Sequence, residues 1–265
     1  MSRPASGRWA VVTGASSGIG MVFARELARR GHPVLAVARR RERLEQLASD
    51  LTTSGGHLEP LVPDLQTRDG LAAVLHRSGE LGDVELLVNN AGVATAGDFL
   101  FARLEAELSA IRLNVDALVA LTHRTLPAMV RRGRGGIINL SSLVGFQPFP
   151  HFAVYAASKA FVLSFTEALA EELRGTGVRT LAVCPGAVRT EMVVFARNEG
   201  LLGRLPSMTP EAVVATALRA LERDRVVTVV GWTNRVVAFS NRLAPRWLMR
   251  RLMASIARPP SVATR

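Results

Sequence analysis

Tyr155 and Lys159 are the sole tyrosine and the sole lysine of this 265-residue chain, and they stand four positions apart. Every other one of its 33 Lys and Arg residues is arginine, so the pair reads as a chemical demand that Arg and Phe cannot meet. On a helix, residues at i and i+4 project from the same face. A phenol with a pKa near 10 is a poor acid–base catalyst at neutral pH, and a neighbouring ammonium favours its phenolate. Bringing that pKa to about 7 takes roughly 4 kcal/mol, which calls for a second positive charge besides Lys159. Ser141-Ser142 precedes the pair, at the end of a strand-like run. Taken alone, a Tyr/Lys pair also suits an ordinary amphipathic helix.

Upstream lies Thr13-Gly14-Ala15-Ser16-Ser17-Gly18-Ile19-Gly20, between the apolar run Trp9–Thr13 and an amphipathic segment. A pyrophosphate needs free backbone N–H groups at a helix N-terminus and no side chains where it approaches. Gly14, Gly18 and Gly20 meet that need after a first strand, where glycines mark a dinucleotide site rather than a tight turn. An oxidised nicotinamide would then be the second positive charge near Tyr155. Where an acidic residue would grip the ribose 2′-hydroxyl of NAD, the chain has Ala38 followed by Arg39, Arg40 and Arg41. Guanidinium groups suit a 2′-phosphate, so NADPH/NADP+ is expected in preference to NADH. The competing reading is a solvated basic turn. Asn89-Asn90-Ala91-Gly92 closes a further strand, at the kind of edge where open α/β sheets bind ligands.

The elements that must position these groups alternate. Continuous Val/Leu/Ile runs at 9–13, 33–38, 57–62, 84–89, 136–140, 178–184 and 225–230 suit strands buried on both faces. Amphipathic stretches separate them, most clearly at 18–30, 40–51 and 155–174. The fold class is α/β: a Rossmann-type, doubly wound, mostly parallel seven-stranded sheet flanked by helices. Residues 1–231 form the dinucleotide-binding catalytic domain, and 232–265 a basic amphipathic arm that belongs to it or extends from it.

In this order and spacing the motifs resemble those of the short-chain dehydrogenase/reductase family, over residues 8–231. The resemblance implies hydride transfer between a carbonyl and an alcohol. It makes Ser142 the group that positions the carbonyl, Tyr155 the general acid or base, and Lys159 the holder of the nicotinamide ribose. Asn114 matches the asparagine that holds a proton-relay water. For the cofactor it implies contacts from Gly14, Ser16, Ser17, Gly18, Ile19 and Gly20, from Arg39 and Arg40, and from Asp64 and Leu65 at the adenine. Asn90, Ala91 and Gly92, and Pro185, Gly186, Val188 and Thr190 at the carboxamide, complete that set with Tyr155 and Lys159.

The apolar stretch 143–152 joins Ser142 to Tyr155 and, with 191–205, points to a small hydrophobic carbonyl or alcohol substrate. His151 there reads as a loop histidine without a supporting role, and Arg197 and Arg204 as solvated charges. Segments 108–130 and 160–173 are apolar nearly all round, more than a surface helix needs. A homo-oligomer, dimer or tetramer, would cover them; loops or the arm are the alternative cover. A lone Cys184 and no spaced Cys/His cluster give no disulfide and no metal site. Without an apolar leader or a spanning stretch, a cytoplasmic setting is expected.

The net charge of +11 is lopsided. Asp224 is the last acidic residue, and eight arginines follow it. A basic appendage without a basic stripe on the body argues against nucleic acid. Around Pro245 the arm should form two helices whose apolar face either docks on an anionic membrane surface or packs over the cleft or a neighbouring subunit. A regulatory dinucleotide-binding or membrane-surface protein of the same fold remains the rival to an enzyme.

Overall fold

The computed structural model describes residues 7–191 and 207–256. Seven strands form one sheet: β1 (Trp9–Thr13), β2 (Val34–Val37), β3 (Leu58–Leu61), β4 (Val84–Asn89), β5 (Gly135–Leu140), β6 (Val178–Cys184) and β7 (Val227–Val229). Their order is β3-β2-β1-β4-β5-β6-β7, and every neighbouring pair is parallel.

Alternation explains why both faces of these strands are apolar. Ala10, Val12, Val34 and Ala36 point into one core, and Val11, Leu35 and Val37 into the other. The first core is closed by Phe23 and Leu27 of α1 (Gly18–Arg29), Leu44 and Leu47 of α2 (Arg41–Thr53), and Val213 and Leu218 of α7 (Pro210–Glu222). Opposite them stand Val74 of α3 (Arg68–Glu80), Leu121 and Met129 of α5 (Ala117–Arg132), and Leu169 of α6 (Ala153–Glu172). Each fully buried Leu or Met contributes roughly 1.5–3 kcal/mol, so a double-sided sheet needs no staple.

The expected helix over 108–130 is interrupted. α4 (Leu104–Ile111) passes through a π-helical turn, Arg112–Asp116, before α5 begins. Such single turns are often found at functional sites, and this one carries Asn114. Chain order reverses between β1 and β4, which brings the glycine loop and Asn89–Gly92 to the same edge.

The arm forms two helices, α8 (Trp232–Leu243) and α9 (Arg246–Ile256), parted at Pro245 as its missing N–H requires. It packs on the domain rather than standing apart. Met249 and Met253 of α9 are buried with Phe149 and Ala156, beside Val144 and Phe152. The outward faces keep Trp232, Val236, Phe239, Trp247, Leu248 and Leu252 exposed.

Candidate active site

The glycine loop is held open by backbone geometry and by Asn90. Gly14 has φ 68° and Gly18 φ 53°, in the left-handed region that favours glycine. A Cβ on Gly14 would come within 2.7 Å of Asn90 Nδ2, and one on Gly20 would collide with both Gly14 O and Asn90 Nδ2. Asn90 Nδ2 donates to Thr13 O at 2.9 Å and to Gly14 O at 3.3 Å, while Thr13 Oγ1 accepts from the N–H groups of Asn90 and Ala91, both at 3.0 Å. The side chain of Asn90 is therefore spent on shaping the loop. The Ser17 side chain at the N-cap of α1 accepts no hydrogen bond from the helix's own N–H groups, and the first turn holds no acid. That leaves amide donors and a positive dipole end for an anion, so the residues present fit a pyrophosphate.

Around the loop the arginines divide. Arg40 lies across it, donating from Nε to Ser16 Oγ at 3.0 Å and from Nη2 to Ser17 Oγ at 2.6 Å. Arg39 turns away, its Nη1 3.8 Å from Asp64 Oδ2. Asp64 Oδ1 also accepts from Gln66 N at 3.0 Å, and Leu65 beside it is buried.

On the far side, Pro185 O accepts from Leu143 N at 2.9 Å, tying the expected carboxamide segment to the loop after Ser142. Val188 bridges Met208, and Thr190 Cγ2 lies 2.9 Å from where a Cβ on Gly18 would stand. This segment therefore crosses the glycine loop. Gly186 leaves room for Asn234 of α8, whose Nδ2 would meet a Cβ there at 2.6 Å. Sequence reading had not connected Asn234 with the site.

Tyr155 and Lys159 share the inner face of α6, as their spacing requires. Lys159 Nζ donates to Leu140 O at 2.8 Å and lies 5.8 Å from the centroid of the Tyr155 ring. Both Lys159 Nζ and Asn114 Oδ1 lie against Gly92, at 3.4 and 3.1 Å from the position of a Cβ there, so a side chain would press on Asn114. Ser142, at the end of β5, hydrogen-bonds the Tyr155 side chain. Strand ends and α6 thus bring Asn114, Ser142, Tyr155 and Lys159 into one place.

Two details add to this picture. In the protein alone, burial pushes the Tyr155 pKa above its ordinary value, and the Ser142 hydrogen bond opposes the rise. Burial also lowers the Lys159 ammonium to about 8, against which Cys184 acts weakly. The reason is that desolvation penalises both charged forms while the ammonium is engaged by Leu140 O. Asn114 is also fully committed. Its Nδ2 donates to Val93 O at 2.9 Å and Ser158 Oγ at 3.0 Å, and its Oδ1 accepts from Val93 N at 2.9 Å.

Beneath the site runs a buried polar ladder that hydrophobic patterning could not reveal. Asn89 Nδ2 donates to Asn139 Oδ1 at 2.9 Å, and Asn139 Nδ2 to Thr166 Oγ1 at 2.9 Å, joining β4, β5 and α6. Ser141 Oγ donates to Lys159 O at 2.7 Å, fixing the Lys159 turn of α6 to the end of β5. Cys184 is buried next to it, its thiol pushed up to about 12, which makes it inert. His151 is better placed than a plain loop histidine. It has φ 63°, its O accepts from Gly97 N at 2.8 Å, and its Nδ1 stands 2.6 Å from Asp98 Oδ1. Arg197 and Arg204 lie outside the described residues, as does most of the 191–205 segment.

A glycine loop at a sheet reversal, beside a Ser/Tyr/Lys group at the strand ends, defines a dinucleotide-binding oxidoreductase. The family model for short chain dehydrogenase matches residues 8–200, so the chain belongs to that family, whose members use a nicotinamide dinucleotide. A short chain dehydrogenase of Pseudocercospora fijiensis is 38% identical over 189 residues, 70% of this chain and 61% of that one. The chain thus spans about three fifths of that relative's length. Among solved structures, a short-chain dehydrogenase from Sphingobium yanoikuyae in complex with NADPH is similar at 37% identity, with a TM-score of 0.81 and coverage of 97% of this chain and 99% of that one. The bulky-bulky ketone specific alcohol dehydrogenase from Comamonas testosteroni shares 31% identity at TM-score 0.78, with 97% of each chain covered. Among the described residues, no helix is long and apolar enough to cross a membrane.

Proposed function

We propose that this oxidoreductase interconverts a carbonyl and an alcohol on a hydrophobic substrate with NADP(H), in the direction of reduction. The observation that carries the reading is the meeting of Ser142, Tyr155 and Lys159 at the strand ends, beside a glycine loop crossed by Arg40. A bound nicotinamide would supply the hydride for the carbonyl carbon. Ser142 orients the carbonyl oxygen, and Tyr155 Oη passes its proton to that oxygen, yielding the alcohol. A phenol whose burial keeps it protonated at neutral pH suits the proton-donating direction. Lys159, lowered to about 8 and still largely charged at pH 7, holds the ribose side and steadies the phenolate left behind. The similarity to an NADPH complex and to a bulky-ketone enzyme supports the cofactor and the substrate class.

Asn114, through its committed side chain, would hold the π-turn backbone in place for a proton-relay water. Exposed Leu104, Leu108 and Ile111 of α4 and Phe161 of α6 form the face that a second copy of the chain would cover, in keeping with a family whose members commonly oligomerise. For the arm, burial of Met249 and Met253 favours packing beside the substrate loop over a purely membrane-facing role.

The test is Tyr155→Phe, assayed on a panel of bulky ketones with NADPH. Turnover should fall by about two to four orders of magnitude, the usual worth of a general acid, with NADPH binding retained. More than a tenth of wild-type activity in the variant would remove Tyr155 from its assigned role.

A further inference from the structure

Glu191 closes a cluster with residues 151 and 148 positions earlier in the chain. Its Oε2 accepts from Arg40 Nη1 and its Oε1 from Arg43 Nη1, so one carboxylate is clasped between two guanidinium groups. The same Arg40 spends its Nε and Nη2 on Ser16 and Ser17. Glu191 directly follows Thr190, whose methyl group overlies Gly18, so the carboxylate reaches the arginines across the glycine loop. Two guanidinium groups converging on one anion, with serine hydroxyls and a glycine loop beside them, make the donor set that a phosphate monoester requires. The three side chains are about half exposed (42%, 49% and 52%), which keeps the contact weak and exchangeable.

We propose that Glu191 is a built-in competitor for the cofactor's 2′-phosphate: it holds Arg40 and Arg43 together in the free enzyme and yields its place when a 2′-phosphorylated dinucleotide binds. Arg43 thereby becomes a second phosphate ligand beside Arg40. The inference rests on the NADP(H) reading above. Its logic is electrostatic. Side by side, the two arginines repel each other unless an anion lies between them, and Glu191 supplies one until a more highly charged anion arrives. A cofactor lacking the 2′-phosphate brings no charge to this position with which to displace the carboxylate. Arg40 and Arg43 also hold the Glu191 pKa down to about 2, so the competitor stays ionised across any working pH.

Calorimetric titration of NADPH, NADH, adenosine 2′,5′-bisphosphate and 5′-AMP into wild type, Glu191→Gln and Arg43→Met tests this. Glu191→Gln should bind NADPH and the bisphosphate about three- to tenfold more tightly, the size of two exposed ion pairs, with NADH and 5′-AMP unchanged. Arg43→Met should weaken the phosphorylated pair alone. Unchanged or weaker binding of NADPH and the bisphosphate to Glu191→Gln overturns the competitor, and an Arg43→Met that keeps wild-type affinity overturns the second ligand. Equal affinity of the unmodified protein for NADPH and NADH is a different result: it removes the cofactor reading itself.

Discussion

The floor of the site and its rim are built on opposite principles. On the floor, Asn114, Ser141, Ser158 and Lys159 are buried, and each has hydrogen-bonding partners in the backbone or in another side chain. At the rim, Arg39, Arg40, Arg43, Asp64 and Glu191 are all more than a third exposed and meet through charge. An unpaired polar group on the floor is expensive, so geometry there is locked before any ligand arrives. Charges at the rim are screened and interchangeable, so what arrives can rearrange them. Chemistry needs the first kind of construction and cofactor discrimination can use the second.

Substitution of the floor should therefore cost stability. Asn114→Ala strands Val93 N, Val93 O and the Ser158 hydroxyl contact, and should lower unfolding free energy by about 3 kcal/mol, at 1–3 kcal/mol per buried orphan group. Urea denaturation reads this directly; a loss below about 1 kcal/mol would mean the floor relaxes as readily as the rim.

The rim should instead show selective loss. Arg40→Ala is expected to weaken NADPH by about 1.5–3 kcal/mol, the range for a hydrogen bond to a charged group, with NADH and stability nearly unaffected. Arg39→Ala should do much less, because Arg39 faces Asp64. The reverse ranking in a binding titration would place the phosphate on Arg39.

Buried charge gives a pH signature that exposed charge does not. Lys159 has a folded pKa of about 8, below its ordinary 10.5. Between those values the unfolded chain keeps the proton and the folded chain releases it, so stability rises with pH. The cost of burying the ammonium is fully present below pH 8 and relieved by about 10.5. The gain is at most about 1.4 kcal/mol per pH unit. Wild type minus Lys159→Met, compared at pH 8 and pH 9.5, isolates it; a flat difference would contradict the burial argument. Above pH 10 Tyr155 acts with the opposite sign, since its folded pKa is raised.

The smallest expected effect concerns the arm. If α9 is chiefly a cover for Phe149 and Ala156, the protein should stay in the supernatant with anionic liposomes at low salt. Salt-reversible sedimentation would instead make Trp232, Phe239 and Trp247 a membrane face.

Much of this was legible in the residues. Strand runs 9–13, 84–89 and 178–184 coincide with β1, β4 and β6, because strands buried on both faces leave uninterrupted apolar runs. The division of the arm at Pro245 also followed from one residue's missing donor. The break at Arg112–Asp116 did not, since apolar spacing carries no sign of a π turn.

The sequence by itself determined the sheet, the glycine loop, and the shared face of Tyr155 and Lys159, because each depends on local periodicity or on a residue's own backbone freedom. Tertiary structure alone decided which arginine crosses the loop, that Glu191 answers it, that Asn234 backs Gly186, and that burial works against ionisation of Tyr155. Those outcomes depend on distance and desolvation between groups up to 151 residues apart, and no local pattern encodes either.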